Sequence, residues 1–158
     1  MSDASSDSSG VVFPPPLIYA GGFAAAYGAH RLLPIRLWGE PAPVESLLGW
    51  GLLVAGVLLA VSAAYLFRRA GTTPNPAKPA SALVIWGPYR FTRNPMYVGM
   101  ATLYVGGTLL LNDLWPLALL PVVIALVQRR VIAKEEAYLE RTFGDVYRAY
   151  KARVRRWI

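Results

Sequence analysis

Two short runs concentrate the polar chemistry of this chain. One is Gly87-Pro88-Tyr89-Arg90-Phe91-Thr92-Arg93-Asn94-Pro95-Met96-Tyr97-Val98-Gly99, which sets guanidinium, carboxamide and phenol groups immediately ahead of an apolar segment. The other is the acid pair Glu135-Glu136. Glu135 lies one helical turn before Leu139, and Leu139 one turn before Phe143, so an apolar helix face runs into a carboxylate. A charge on such a face is costly unless it is paired or functional. If Arg93 and Glu135 meet, they offer an ion pair or a place to hold a charged group. Blander readings stand beside this one. Arg90 and Arg93 fit snorkelling anchors at a membrane boundary, and the acids fit salt bridges to Arg129, Arg130 or Lys134. His30, the single histidine, sits beside a loop and reads as an interfacial residue rather than a base. The Gly99 and Gly106 spacing fits helix packing. With no cysteine, the chain has no disulfide, zinc–thiolate site, iron–sulfur cluster or cysteine nucleophile.

The elements that must bring these runs together are apolar. The chain of 158 residues is 55% hydrophobic and 16% charged, where soluble domains run to about 25% charged, which points to the membrane class. At 17.3 kDa a polytopic bundle uses nearly all of the length, since each spanning helix takes roughly 20 residues, and a large extramembrane catalytic domain is excluded. Val11 to Ala29 carries no charge, opens near Pro14, Pro15 and Pro16, and closes at His30 and Arg31. Leu33 to Glu45 reads as a surface connector. Ser46 to Phe67 is again uncharged, with Gly49, Gly51 and Gly56 among Leu, Val and Ala, and ends at Arg68 and Arg69. The prolines and glycines between Arg68 and Asn94 prevent a long helix there, and a polar loop of that length in so small a protein usually has work to do.

The apolar stretch from Met96 to Val127 is too long for one span and folds as a helical hairpin about Asn112-Asp113, with Pro95 in its first turn. The hairpin returns Glu135 to the membrane face of Arg93. From Gln128 onward nine Lys or Arg stand against four acids, and Leu139, Phe143, Tyr147, Tyr150, Val154 and Trp157 form an apolar stripe, interrupted at Gly144. The expected architecture is an all-α membrane protein of about four transmembrane helices with a C-terminal hairpin and an amphipathic cytoplasmic tail helix. By the positive-inside rule the Arg68–Arg93 loop, the tail and the N-terminus face the cytoplasm, and Asn112-Asp113 faces the far side. Residues 1–10 read as a disordered tail and 11–158 as a single domain. The formal charge of +7 sits mostly beside apolar segments, so its anion is the lipid headgroup rather than nucleic acid.

The junction at 87–99, a hairpin of spans, and then Glu-Glu-x-x-Leu-x-x-x-Phe-Gly-x-x-Tyr-x-x-Tyr-x-x-x-Val together resemble the integral-membrane methyltransferases that include isoprenylcysteine carboxyl methyltransferase and phosphatidylethanolamine N-methyltransferase. The resemblance covers residues 84–157. Asn94-Pro95-Met96-Tyr97 is similar to the phospholipid enzymes, whereas the isoprenylcysteine enzymes carry His at the Asn94 position. Phe143-Gly144-Asp145-x-Tyr147-x-x-Tyr150 resembles the isoprenylcysteine branch. That branch places an arginine one turn before the acid, and this chain has Val131 there. The resemblance implies metal-free methyl transfer from S-adenosylmethionine, with Arg93 and Glu135 as the catalytic pair. It assigns Tyr89, Arg93, Asn94, Pro95, Tyr97, Gly99, Glu135 and Glu136 to the cofactor: acids for its cationic end and hydroxyls, Arg93 for its carboxylate or a substrate phosphate, and Tyr89, Asn94 and Tyr97 for the nucleoside. The implied acceptor is lipophilic: an isoprenylcysteine carboxylate, a phospholipid amine or a small apolar thiol. The implied location is multi-pass in a bacterial inner membrane or the endoplasmic reticulum. Two alternatives remain: a membrane reductase akin to sterol and steroid reductases with a nicotinamide cofactor, and a non-enzymatic scaffold whose basic tail binds anionic lipid.

Overall fold

The computed structural model describes residues 9–11, 14–40, 42–75 and 78–158, all helix, turn and loop. The proposed disordered tail falls mostly on residues 1–8, which lie outside the described part. Helix α1 spans Pro15–Leu32 and α2 spans Pro43–Arg69; α3 spans Pro95–Leu111, α4 Leu114–Val127 and α5 Ala133–Arg153. A short 3-10 turn, Gly87–Arg90, leads into α3. Helices α1, α2 and α3 each begin with proline in the first turn, where its missing N–H leaves no bond unmade. Helix α4 is capped instead by Asp113, whose carboxylate accepts from the Trp115 amide at 3.0 Å.

Among the described residues, two helices are long and apolar enough to cross a membrane: Pro43–Arg69 and the continuous helix Leu114–Arg153. The first exposes Leu47, Leu48, Trp50, Val54, Leu58, Val61 and Tyr65 to its surroundings, an outward face that suits lipid and not water. Its buried face is formed by Gly49, Gly56 and Ala63. A Cβ added to Gly56 would stand 2.7 Å from the Gly99 carbonyl oxygen, and one added to Gly106 would stand 2.9 Å from that of Gly49. With glycines seven residues apart on both helices, α2 and α3 run antiparallel at backbone contact. Gly99 is therefore a packing residue turned toward α2, and its expected place in a cofactor site is corrected.

The hairpin forms as its sequence predicts, with α3 and α4 joined at Asn112-Asp113. Asn112 takes the left-handed conformation, φ 50° and ψ 47°. The tail does not start as a separate helix: α4 continues through a π-helical turn, Gln128–Ile132, directly into α5. The interruption does fall at Gly144, where φ is 53° and ψ is −126°. Tyr19, Tyr97, Tyr104, Val123, Val127, Val131 and Ile132 form the main core, tying α1 to the hairpin and the π turn. Val131, which stands where the isoprenylcysteine branch carries arginine, is fully buried there.

Candidate active site

A cleft opens where the start of α3 meets α5. Arg93, Asn94, Met96 and Tyr97 supply one wall, and Glu135, Glu136, Tyr138, Leu139, Tyr147 and Tyr150 the opposite one. Phe67 at the end of α2, Tyr89, and the loop residues Thr73, Pro74, Lys78 and Ala82–Val84 complete it. Its cavity volume is about 100 Å³, below the roughly 300–1,000 Å³ of drug-sized ligand sites. The enclosed part is therefore narrow.

The two acids lie side by side in sequence and have different partners. Tyr97 donates its hydroxyl to Glu135 Oε1 at 2.7 Å. Glu136, nearly buried, sits between two guanidinium groups: Arg93 Nη1 stands 3.0 Å from Oε1, and Arg156 donates from Nε to Oε1 at 3.0 Å and from Nη2 to Oε2 at 2.6 Å. Arg93 thus pairs with Glu136 and not with Glu135. The expected bridges from the acids to Arg129, Arg130 or Lys134 are not made: Arg129 and Arg130 are exposed, and Lys134 Nζ donates to the Gly10 carbonyl at 3.0 Å. Both acids line the cleft. Successive positions on a helix diverge by about 100°, yet this cleft is wide enough in angle to receive both.

Helix α5 is the charged continuation beyond the apolar part of its long helix, and burial pushes the Glu135 carboxyl up to about 7. The Tyr97 hydrogen bond opposes that shift and the Glu136 charge adds to it. Arg93 keeps only about a tenth of its side chain exposed, and neither its Nε nor its Nη1 makes a hydrogen bond among the described residues, Nη1 standing beside Glu136 as an ion pair. A buried donor left open in a cleft wall favours a ligand that brings an acceptor.

Tyr89, Arg93, Asn94, Tyr97, Glu135 and Glu136 are thus brought together as the sequence predicts. Pro95 and Gly99 are not; Pro95 is buried in the first turn of α3. Asn94 turns its amide to the Arg156 carbonyl at 2.9 Å, so its donor serves the fold rather than a nucleoside. Sequence reasoning missed Tyr138, whose hydroxyl accepts from the Ala80 amide at 2.9 Å, and Arg156. Tyr138 shares the Glu135 side of α5 and could have been found by helical spacing. Arg156 gives no local signal, being 20 residues from the acid it holds. His30 lies far from the cleft, with Nδ1 3.3 Å from Asp113 Oδ2.

Comparison with known proteins places this geometry. An uncharacterized protein of Haemophilus influenzae is 43% identical over 65 residues, which are 40% of this chain and all of that protein. No solved structure matches the chain. A family model, that of the phospholipid methyltransferases, matches residues 44–146, from the second residue of α2 to just past Gly144 and so across both walls of the cleft. On that match, and on the junction and acid pair it encloses, the chain belongs to the phospholipid methyltransferase family.

Proposed function

We propose that the protein transfers a methyl group from S-adenosylmethionine to a lipophilic acceptor at this cleft. The observation that carries the proposal is the convergence of Arg93, Tyr97, Glu135 and Glu136 on one cavity at the end of the hairpin. The donor set fits the cofactor by charge. Arg93, with an open buried Nε, suits its carboxylate, and Glu135, whose second oxygen is not engaged by Tyr97, suits its ammonium or sulfonium. The narrow inner part takes the amino-acid end, and the nucleoside sits toward the mouth among the loop residues.

When bound, the cofactor supplies a methyl group already activated by positive sulfur: the acceptor's lone pair forms the new bond to carbon as the carbon–sulfur bond breaks, leaving a neutral thioether. The protein's residues then have little covalent work. Tyr97 fixes the rotation of the Glu135 carboxylate, Arg93 holds the opposite end of the donor, and apolar Phe67, Val84, Met96 and Leu139 exclude water from the line of transfer. Glu135, with its raised pKa, can also accept the acceptor's proton near neutral pH.

The architecture proposed for this work has four spans, α1 to α4, within a single domain of residues 11–158. The cleft and α5 lie on the cytoplasmic face, among anionic headgroups that match the basic tail. The acceptor is an isoprenylcysteine carboxylate, a phospholipid amine or a small apolar thiol, reached from the bilayer. Isothermal titration of the detergent-purified protein with S-adenosylhomocysteine should show saturable binding. No heat and no thermal shift at millimolar ligand, or protection by a reduced nicotinamide dinucleotide instead, would overturn the assignment. A reporter fused after Ile158 should report cytoplasm and one inserted at Asn112-Asp113 the opposite side; both on one side would remove the proposed topology.

A further inference from the structure

The segment after α5 is built into the cleft from behind. Val154 leaves the helix in an extended conformation, φ −118° and ψ 132°, and the chain returns along the turn that starts α3. Arg93 donates its amide to the Arg155 carbonyl at 2.9 Å; Thr92 Oγ1 and Asn94 Nδ2 donate to the Arg156 carbonyl at 3.1 and 2.9 Å. Trp157 Nε1 pins the end of the segment to Gln128 Oε1 at 3.0 Å. These bonds deliver the Arg156 guanidinium to Glu136, where it engages both carboxylate oxygens.

We infer that Arg156 is a positioning residue, which holds Glu136 so that one edge of Arg93 stays open for the carboxylate of the ligand. This rests on the reading of the cleft as a cofactor site. The argument is geometric. A fork-to-fork pair fixes the plane of the carboxylate and occupies both of its oxygens, so Arg93 Nη1 reaches only Oε1, as an ion pair without a hydrogen bond. Its Nε is left without a partner. Two guanidinium groups on the Glu136 carboxylate leave a local surplus of positive charge at this pair, where the Arg93 and Glu136 side chains are 10% and 8% exposed and that of Arg156 is 34% exposed. Such a charge favours an incoming anion. Without Arg156, Glu136 is free to turn and take Arg93 as its own bidentate partner. That would cancel the surplus charge and consume the donors which the ligand needs.

The test compares two nucleoside thioethers. S-Adenosylhomocysteine carries the amino-acid end, and 5′-methylthioadenosine lacks it. In detergent-purified full-length protein, Arg156→Ala should weaken S-adenosylhomocysteine by about tenfold or more, while 5′-methylthioadenosine stays within about twofold of the parent. Arg156→Lys keeps the charge without the planar fork and should fall between, again with 5′-methylthioadenosine unchanged. Unchanged binding of the shorter ligand certifies the fold of each variant. If the alanine variant does not fold, the lysine variant decides by the same comparison. Equal losses for both ligands, or none for either, overturn the positioning role and leave the cofactor site standing. Failure of the parent to bind either ligand overturns the cofactor reading and this inference together.

Discussion

Helix α3 ends in two polar residues that are used in opposite ways. At its C-terminus Asn112 has its side chain fully engaged: Oδ1 accepts from the Leu37 and Trp38 amides, each at 3.1 Å, and Nδ2 donates to the Trp38 and Gly39 carbonyls, each at 3.0 Å. Trp115 adds a 2.7 Å bond to the Leu33 carbonyl, and Leu114 donates its amide to Ile35. At the other end, two residues before α3 begins, Arg93 is about nine-tenths buried and keeps an open Nε. A carboxamide closed on four backbone groups locks the connector to the hairpin turn. A guanidinium with an unfilled donor beside a cavity retains free energy for a ligand. The contrast separates an end whose polar groups are spent within the fold from an end that keeps a donor open beside a cavity.

The sharpest way to break that contrast is at Asn112. Asn112→Ala removes four hydrogen bonds and puts a Cβ-bearing residue without a polar side chain in the left-handed conformation, which should cost on the order of 2–4 kcal/mol. The melting temperature should fall by several degrees, and ligand affinity in the folded fraction should not move. Asn112→Gly relieves the backbone and not the lost bonds, so it should recover only part of the loss. A melting temperature within a degree of the parent for Asn112→Ala would show that the far end is not the lock.

At the binding end the comparable change is Glu135→Gln. It keeps the size of the side chain and an acceptor for Tyr97 while deleting the charge. S-Adenosylhomocysteine should bind about ten- to a hundredfold more weakly, roughly 1.5–3 kcal/mol, with little change in unfolding because burial already favours the neutral acid. A large drop in melting temperature with unchanged affinity would invert the assignment and make Glu135 structural.

The sequence carries more of the fold than of the wiring within the site. The uncharged run into Arg68 and Arg69, the hairpin about Asn112-Asp113 and the break at Gly144 all follow from local rules, and all appear where they are expected. The meeting of the 87–99 junction with the acid pair follows from hairpin arms of comparable length. Which base meets which acid does not follow. The π turn at Gln128–Ile132 changes the helical phase between α4 and α5, so counting 3.6 residues per turn through it misplaces Arg129 and Arg130, which face outward. The other base comes from a segment that returns after α5, and no periodicity foretells a contact of that kind. Gly99 was legible in both senses, as motif and as packing stripe; backbone contact with Gly56 decides for packing.

The pH dependence of binding sharpens the comparison further. With the Glu135 pKa raised to about 7, the free protein carries a largely neutral acid below that pH. A cationic ligand prefers the carboxylate, so binding below pH 7 must release a proton, and affinity should fall by up to about tenfold per unit of decreasing pH. Above pH 7 the acid is already ionised, and this contribution levels off until the ligand's own amine titrates. The check is titration calorimetry in buffers of different ionisation enthalpy, which reads the proton count directly. Glu135→Gln should abolish the release; a parent profile flat from pH 5.5 to 7 would remove Glu135 from contact with the cationic end.

The smallest expected effect completes the set, and it concerns a third acid on α5. Glu140 lies five residues beyond Glu135, outside the cleft, and accepts from Lys151 Nζ at 3.0 Å with both side chains more than a third exposed. An ion pair in that setting contributes roughly 0–1 kcal/mol to stability, since water and salt screen it. One turn earlier on the same helix, Glu136 lines the cleft and already carries two arginines. Glu140→Gln should therefore change S-adenosylhomocysteine affinity by less than about twofold and leave the pH profile of the parent intact. If Glu140→Gln weakens the ligand as much as Glu135→Gln, the loss reports the net charge of α5 and not a seat in the cleft. The distinction between a holding end and a binding end of α3 would then lose its chemical basis.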